Sequence, residues 1–298
     1  MKRWFRVLMC VAAAGLASAG ARGESPYRAP RDAYGRPDLE GVWTNETLTR
    51  FERPPEYLGR PAMTAREVAA LERPGVWRKV MRVGGEARTS LVTTSDGRVP
   101  PLKAGAQPDP RAWPIPAGGK TTDNPETQAI DDQCLLAVGP LAGPVMTPLP
   151  GNSHYQILQT KDLIAIEVEM IHDVRLIRLN GAHRTDGMRP WLGDSIGHFE
   201  GDTLVVETTS FPAAQWYRGS WKNLKVTERF TRVAPDRLRY QFQVDDSTKW
   251  ERPWGGEYEF AARAEPIEEY ACHEGEVSVE HMLDAARAEE WVGKQGGD

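Results

Sequence analysis

The strongest constraint on the fold is an alternation of apolar and polar residues that runs from Tyr155 to about Tyr270. Successive side chains of a β-strand point to opposite faces, so a period of two is typical of strands with one buried face. The alternation predicts seven strands, at Tyr155–Gln159, Leu163–Met170, Arg175–Leu179, Leu204–Thr209, Lys225–Val233, Arg237–Val244 and Tyr258–Arg263. Short strands in close succession favour an antiparallel β-barrel or sandwich over a parallel sheet.

The remaining sequence predicts segments that surround this sheet. Residues 24–150 are repeatedly interrupted by Pro and Gly, which excludes long regular elements and suggests a segment that packs on the barrel. One short helix is expected there, because Thr64 and Glu67 form a capping box and Pro74 ends the helical pattern. Residues 151–298 supply the barrel core and a C-terminal helix, so the chain forms one structural domain.

The C-terminal helix is predicted after Gly275. Its apolar residues recur at helical spacing and fall near one face, namely Val279, Met282, Leu283, Ala286 and Trp291. We expect this helix to cover or brace the barrel.

The first residues predict export. Lys2, Arg3 and Arg6 precede an apolar run from Val7 to Leu16, and small residues follow around Ala17-Ser18-Ala19. This order is typical of a cleavable signal peptide, here residues 1–23, and the run is too short for an ordinary transmembrane helix. We therefore expect a periplasmic or secreted protein with no membrane insertion after cleavage, with an uncleaved anchor as the alternative.

The charge of the mature chain argues against nucleic acid as a partner. Cleavage removes four cations (Lys2, Arg3, Arg6 and Arg22) and no acid, so the formal net charge of −5 becomes −9. Affinity for nucleic acid comes largely from Lys and Arg that neutralise phosphates. A small molecule is the expected partner, and the sequence specifies no oligomeric state.

Two cysteines remain after cleavage, Cys134 and Cys272. Disulfides persist in an exported protein, so we predict that these two residues pair. Two buried free thiols are the alternative.

Several motifs carry a resemblance to known proteins. Gly41-Val42-Trp43 resembles the Gly-x-Trp opening strand of lipocalin-type (calycin) barrels. The motifs Trp191-Leu192-Gly193-Asp194-Ser195 and Glu200-Gly201-Asp202-Thr203-Leu204-Val205-Val206-Glu207-Thr208-Thr209 are similar to those of a widespread group of exported bacterial proteins of uncharacterised function. The same resemblance includes Glu169-Met170-Ile171-His172-Asp173, Glu228-Arg229-Phe230-Thr231-Arg232 and Tyr270-Ala271-Cys272-His273-Glu274-Gly275. It covers most of the mature chain and implies an exported β-rich protein.

Three residues are candidates for acid–base catalysis. If the strand from Leu163 continues regularly to Arg175, His172 lies on its apolar inner face, either as a hydrogen-bonded core histidine or as a general base or acid. His273 stands beside Cys272 and would be held rigidly by a disulfide; a surface histidine is the alternative. Asp194 lies in the polar segment Gly187–Asp202, which we expect to be a long connection at the barrel mouth.

Other side chains suit a small, partly apolar ligand. Arginine can hold an acidic or hydroxylated group and tryptophan can stack on a ring, which makes candidates of Arg175, Arg189, Trp191, Trp216 and Trp254. Packing of these Arg and Trp residues on the protein surface is the alternative.

The sequence predicts neither a metal nor a cofactor. His154, His172 and His273 lack the spacing of zinc ligands, and no phosphate-binding Gly-rich loop, dinucleotide fingerprint or Gly-x-Ser-x-Gly motif is present. The leading hypothesis is an exported, cofactor-independent lyase, isomerase or hydrolase acting on a small sugar-derived or aromatic molecule in a barrel pocket. The alternatives are a non-catalytic, lipocalin-like binding protein of the periplasm and a cell-envelope interaction module.

Overall fold

The computed structural model describes residues 27–109, 124–128, 130–136, 143–149 and 153–295. The predicted signal peptide lies outside the described residues. The strands, in chain order, are β1 (Gly41–Thr44), β2 (Arg82–Val83), β3 (Glu86–Ala87), β4 (His154–Gln159), β5 (Leu163–Val168), β6 (Val174–Leu179), β7 (Asp194–Glu200), β8 (Thr203–Thr209), β9 (Lys225–Ala234), β10 (Arg237–Asp245) and β11 (Trp254–Arg263).

Nine of these strands close into a barrel in the order β1-β11-β10-β9-β8-β7-β6-β5-β4. Strand β1 closes it, because Val42 pairs with Arg263 of β11 on one side and with Gln156 of β4 on the other. All neighbours are antiparallel except β6 and β7, which run parallel. The prediction of a mainly-β barrel is confirmed, and β2 with β3 forms a separate hairpin.

Strand β7 corrects the prediction of a long connection from Gly187 to Asp202. Its buried residues are Asp194, Ser195 and Gly197, so the strand carries no run of alternating hydrocarbon side chains. It pairs with its neighbouring strands through backbone hydrogen bonds, and Asp194 lies opposite Thr209 in β8. Hydrophobic alternation therefore predicts only strands that bury apolar side chains.

Aromatic rings fill much of the barrel interior. The ring centroid of Tyr240 lies 5.0 Å from that of Phe230 and 5.0 Å from that of Tyr258. Tyr155 and Phe260 pack beside them with centroids 5.5 Å apart. All five side chains are fully buried, and contacts of this kind stabilise the core beyond simple burial.

Residues 143–147 of the Pro-rich half enter the barrel. The Met146 amide donates to the Tyr240 hydroxyl at 3.2 Å, and the Met146 carbonyl accepts from Tyr258 at 2.5 Å and from Asn45 at 2.7 Å. Val145 and Met146 have no exposed surface. This segment thus provides hydrogen-bond partners for the buried tyrosine hydroxyls. It also fills space inside the barrel that a ligand would otherwise need.

The opening strand β1 is anchored by Trp43. Its indole nitrogen donates to the Leu39 carbonyl at 3.0 Å, and the Arg232 guanidinium lies 5.4 Å from the ring centroid. The side chain is 1% exposed. The strand predicted from its resemblance to a lipocalin opening strand is therefore part of the barrel wall.

Two α-helices accompany the barrel, α1 (Ala65–Leu71) and α2 (Ser278–Gln295). The capping box predicted for α1 is present, since the Thr64 side chain accepts from the Glu67 amide and the Glu67 carboxylate accepts from the Thr64 amide. In α2, Leu283 is buried as predicted, but Trp291 is 62% exposed. Within the described residues, no helix combines the length and the hydrophobicity that a membrane span requires.

Candidate functional site

Two of the predicted histidines line one cavity on the outside of the barrel. The cavity measures about 530 Å³ and is bounded on the barrel side by Gln156, Glu167 and His172. Its other wall is the segment 267–274, which includes His273. We call this space the histidine cavity. Both histidines are exposed, so their imidazoles reach solvent and any ligand that enters.

His172 reaches this cavity through a sharp turn. The predicted continuous strand from Leu163 to Arg175 is wrong, because β5 ends at Val168 and a 3₁₀ turn, Met170–His172, precedes β6. Ile171 and His172 have positive φ angles of 59° and 47°, a conformation uncommon outside glycine. The turn buries Ile171 and points His172 outward, so the predicted inward position of this imidazole is also wrong.

The same turn reverses which residues face the barrel interior. In β5 the buried side chains are Ile164, Ile166 and Val168, but in β6 Arg175 and Ile177 are buried and Val174 is exposed. A change of phase by one residue exchanges the two faces of a strand. It explains why Arg175, predicted as a substrate ligand on the polar face, lies inside.

Arg175 is part of a buried polar cluster and not of the histidine cavity. Its guanidinium pairs with the Glu228 carboxylate and donates to Ser195 at 3.0 Å and to Thr208 at 2.8 Å. The Tyr240 hydroxyl donates to the same carboxylate at 2.8 Å. Burial, together with Glu228, raises the pKa of Tyr240 well above its usual value, so this hydroxyl remains a donor. Arg175 is 2% exposed, so its guanidinium is closed off from solvent.

His273 is held in place by the predicted disulfide. Cys134 and Cys272 are bonded, which ties the segment 130–136 to the outer wall of the histidine cavity. Cys272 itself lines the cavity. The covalent link fixes the backbone next to His273 and therefore limits the positions of its imidazole.

A second connection joins the two walls of the cavity through Glu169. One carboxylate oxygen lies 2.9 Å from His154 Nδ1, and the other accepts from the Glu268 amide at 3.1 Å. Burial alone would raise the pKa of Glu169, but the hydrogen bonds from His154 and Glu268 outweigh it and lower the pKa. The ionised carboxylate thus holds the turn that carries His172 against the segment that carries His273.

Carboxylates dominate the charge of the histidine cavity. Its lining residues include four acids and no lysine or arginine, the acids being Glu167, Glu268, Glu269 and Glu274. Such a site repels anions and accepts neutral or cationic molecules. Tyr270 adds an aromatic face that is partly exposed.

Asp194 belongs to a different cluster. Its carboxylate accepts from Arg178 at 2.8 Å and from the Arg184 amide at 2.8 Å, and it lies 2.9 Å from His183 Nδ1. Burial alone would raise its pKa, but these contacts outweigh burial and lower it. The other ring nitrogen of His183 lies 3.2 Å from Glu207. Asp194 therefore orients His183 and is not among the residues lining the histidine cavity.

The other predicted ligand residues lie outside the histidine cavity. Arg189 donates to the Phe211 carbonyl and stacks on Trp221, with its guanidinium 5.2 Å from the ring centroid. Trp216 donates to the Asp109 carbonyl at 2.8 Å. Trp254 is 3% exposed and packs inside the protein, whereas Trp191 is 48% exposed.

Four residues that shape these sites were not predicted from the sequence, namely Glu167, Glu169, His183 and, as a partner of Glu169, His154. The register of the hairpin formed by β4 and β5 indicates the contact between His154 and Glu169. Gln159 pairs with Ile164 and Tyr155 with Val168, so the next position along places His154 opposite Glu169. For His183 no comparable local signal exists, since its partners come from β7 and β8.

The fold class is a closed, nine-stranded barrel with an external histidine-lined cavity. Among the described residues, no group of three or more His, Cys, Asp or Glu side chains comes together in a way that could hold a metal ion. In comparisons with known proteins, no protein-family model matches the chain, and no curated protein shows significant similarity to it.

Proposed function

We propose that this chain is an exported enzyme that performs cofactor-independent acid–base chemistry on a small molecule in the histidine cavity. The observation that carries the proposal is that His172 and His273, far apart in the sequence, line the same cavity. Two imidazoles near one ligand can act as general base and general acid.

The chemistry follows from opposite protonation states of the two histidines. The neutral imidazole takes a proton from a C–H or O–H group of the substrate, or from water in a hydrolysis. The protonated imidazole donates its proton to the developing anion or to the leaving group. The two rings finish with exchanged protonation states, and because both are exposed, solvent restores them. This scheme serves a lyase, an isomerase or a hydrolase equally.

The lining of the cavity favours a neutral, hydroxylated substrate, such as a sugar derivative. Four carboxylates disfavour an acidic substrate and offer acceptors for hydroxyl groups. The Tyr270 ring offers a face against which a sugar ring can pack. A simple aromatic acid suits this cavity poorly.

A lipocalin-like carrier is the second candidate function. A carrier of this kind needs space inside the barrel, and the segment around Met146 together with the aromatic core fills the interior. Binding in the lumen would require residues 143–147 to leave. If the protein only binds a ligand, the external cavity is therefore a better binding site than the barrel interior.

Export remains part of the proposal. The signal-like residues 1–23 and the disulfide between Cys134 and Cys272 both suit the periplasm or the external medium. N-terminal sequencing of the protein recovered from the periplasmic or extracellular fraction tests this part. A mature chain that begins near residue 24 supports it, and a full-length cytoplasmic chain contradicts it.

The functional test begins with thermal shift against neutral sugars, sugar acids, phenols and lipids, followed by product analysis of each hit. His172→Asn is the preferred variant, because asparagine tolerates the positive φ of this position. We expect His172→Asn and His273→Ala each to lower turnover roughly 100-fold or more, the usual contribution of general acid–base catalysis. His198→Ala, at an exposed site in β7, is the matched control and should leave turnover unchanged.

Unchanged turnover in both variants would remove the two histidines from the mechanism. Saturable binding without any product, abolished by the same substitutions, would instead favour the carrier.

A further inference from the structure

A second cavity lies where β1 pairs with β11, whereas the histidine cavity lies beside β4 and β5. The two cavities share no lining residue. The second cavity measures about 440 Å³ and is bounded by Thr44 at the end of β1, by Glu46 just after it, by Glu259 and Ala261 of β11, and by residues 77–82. Gly85 and Arg237 complete it. We call it the Trp77 cavity, after the indole at its edge.

The segment that forms this cavity is held firmly on the barrel. The Lys79 carbonyl accepts from the Leu48 amide at 2.8 Å, and the Val80 amide donates to Glu72 at 2.8 Å. Val80 and Met81 are buried. Because the backbone is anchored, the side chains of Trp77, Arg78 and Lys79 project from a fixed frame.

Trp77 is a large apolar side chain that is mostly exposed to solvent. It is 68% exposed, the highest value among the large hydrophobic residues of the described chain. The Arg78 guanidinium lies 5.8 Å from the centroid of its ring. The guanidinium stands over one face of the indole, so a flat molecule that packs on the exposed part of the ring lies next to this cation.

The cavity is cationic although the chain as a whole is acidic, with a formal net charge of −5. Four cations line it against two acids, the cations being Arg78, Lys79, Arg82 and Arg237. Arg82 is paired with Glu72 at 3.2 Å and Arg237 lies 4.0 Å from Asp236. Within the described residues, neither Arg78 nor Lys79 has an ion-pair partner.

Each of the two acids also lies near a partner other than Arg78 and Lys79. Glu259 is paired with Arg239 at 3.2 Å. Glu46 lies 3.8 Å from His154 Nε2 and also attracts Arg78. With four cations against two acids, the lining keeps an excess of positive charge for a ligand.

We infer that the Trp77 cavity is a binding site for a small aromatic carboxylate, whose ring stacks on Trp77 and whose carboxylate is held by Arg78 and Lys79. Arginine recognises a carboxylate through paired N–H donors, and lysine adds a point charge. The site is independent of the proposed enzyme activity, because the two cavities have different lining residues and opposite charge.

Isothermal titration calorimetry of the full mature chain with benzoate tests this inference. We expect saturable binding at one site, with benzyl alcohol, which lacks the charge, and acetate, which lacks the ring, at least tenfold weaker. Trp77→Ala, Arg78→Gln and Lys79→Gln should each weaken benzoate binding at least fivefold. Trp77 and Lys79 are exposed and Arg78 is half-buried, so an unchanged melting temperature will show that the variants are folded.

Matched controls are Trp291→Ala, an exposed tryptophan on α2, and Lys161→Gln, an exposed lysine in the turn between β4 and β5. Both should bind benzoate like the parent protein. The inference is overturned by an absence of saturable benzoate binding, by equal affinity for benzyl alcohol, or by equal losses in the control variants. Indole N–H signals in NMR spectra give an independent readout, since the signal missing in Trp77→Ala should shift with benzoate.

Discussion

His154 Nδ1 lies 2.9 Å from a carboxylate oxygen of Glu169, and this pair stands where the two walls of the histidine cavity meet. The second oxygen of Glu169 accepts from the Glu268 amide at 3.1 Å. One side chain therefore links strand β4, the turn that carries His172 and the segment that carries His273. The distance between the two proposed catalytic groups depends on this link.

Glu169→Ala tests the link. We expect the segment 267–274 to loosen, since its Glu268 amide loses its acceptor, and turnover to fall although neither histidine is changed. Hydrogen exchange at the Glu268 amide should accelerate at least tenfold, while amides of β9 and β10 exchange as before. Glu200→Ala, at an exposed ion pair with Arg229, is the control. Unaltered exchange at Glu268 would show that Glu169 does not hold this wall.

The buried ion pair of Arg175 and Glu228 predicts a large non-additive effect on stability. Arg175→Met leaves the Glu228 carboxylate buried without its cation and should cost about 3–5 kcal/mol in the free energy of unfolding. Adding Glu228→Gln removes that charge and should restore at least ~1 kcal/mol, which urea denaturation of the single and double variants will measure. A double variant less stable than Arg175→Met contradicts the proposed ion pair.

The disulfide should make a strong contribution to stability. It spans a sequence separation of 138 residues. Closure of so long a loop is worth about 4–5 kcal/mol in the chain-entropy account. We expect reductant to lower the urea midpoint of the parent protein and to have no effect on the Cys134→Ser, Cys272→Ser double variant. A parent midpoint that does not respond to complete reduction would contradict this prediction.

Asp194 predicts a defined pH dependence of stability. Its pKa is lowered in the fold, so its ionised form stabilises the protein above the ordinary value of 3.8, and this contribution is lost as pH falls below that value. Asp194→Asn should therefore destabilise the protein by roughly 1–3 kcal/mol at neutral pH, the usual range for a buried hydrogen-bonding group. The difference between the two proteins should shrink below about pH 4. A constant difference down to pH 2 would contradict the role assigned to Asp194.

Much of the barrel follows from the sequence because its buried residues alternate with polar ones. Strands β9 and β10 have this pattern over most of their length, and both were predicted within a residue or two. Strand β7 was missed because its inward positions hold Ser195 and Gly197. The interior there is polar, and Ser195 accepts from Arg175. A pattern based on hydrocarbon cannot indicate a strand whose buried side is a hydrogen-bonding cluster.

The candidate site was predicted in part. His172 and His273 were selected from the sequence and do line one cavity, but the reason given for His172 was wrong, since the cavity is outside the barrel. The error lies in two residues, Ile171 and His172, whose positive φ angles reverse the strand phase. Neither residue is a glycine, so the local sequence does not indicate the turn. Asp194 was predicted as a third acid–base residue, but it contacts His183 and does not line this cavity.

The most direct test of the histidine cavity is an NMR titration that follows the imidazole signals, with the ligand found by thermal shift as titrant. His172 and His273 should shift together and give one common dissociation constant, while His183 and His198 stay in place. A ligand that moves only one of the two signals, or neither, would contradict a shared site and with it the proposed acid–base mechanism.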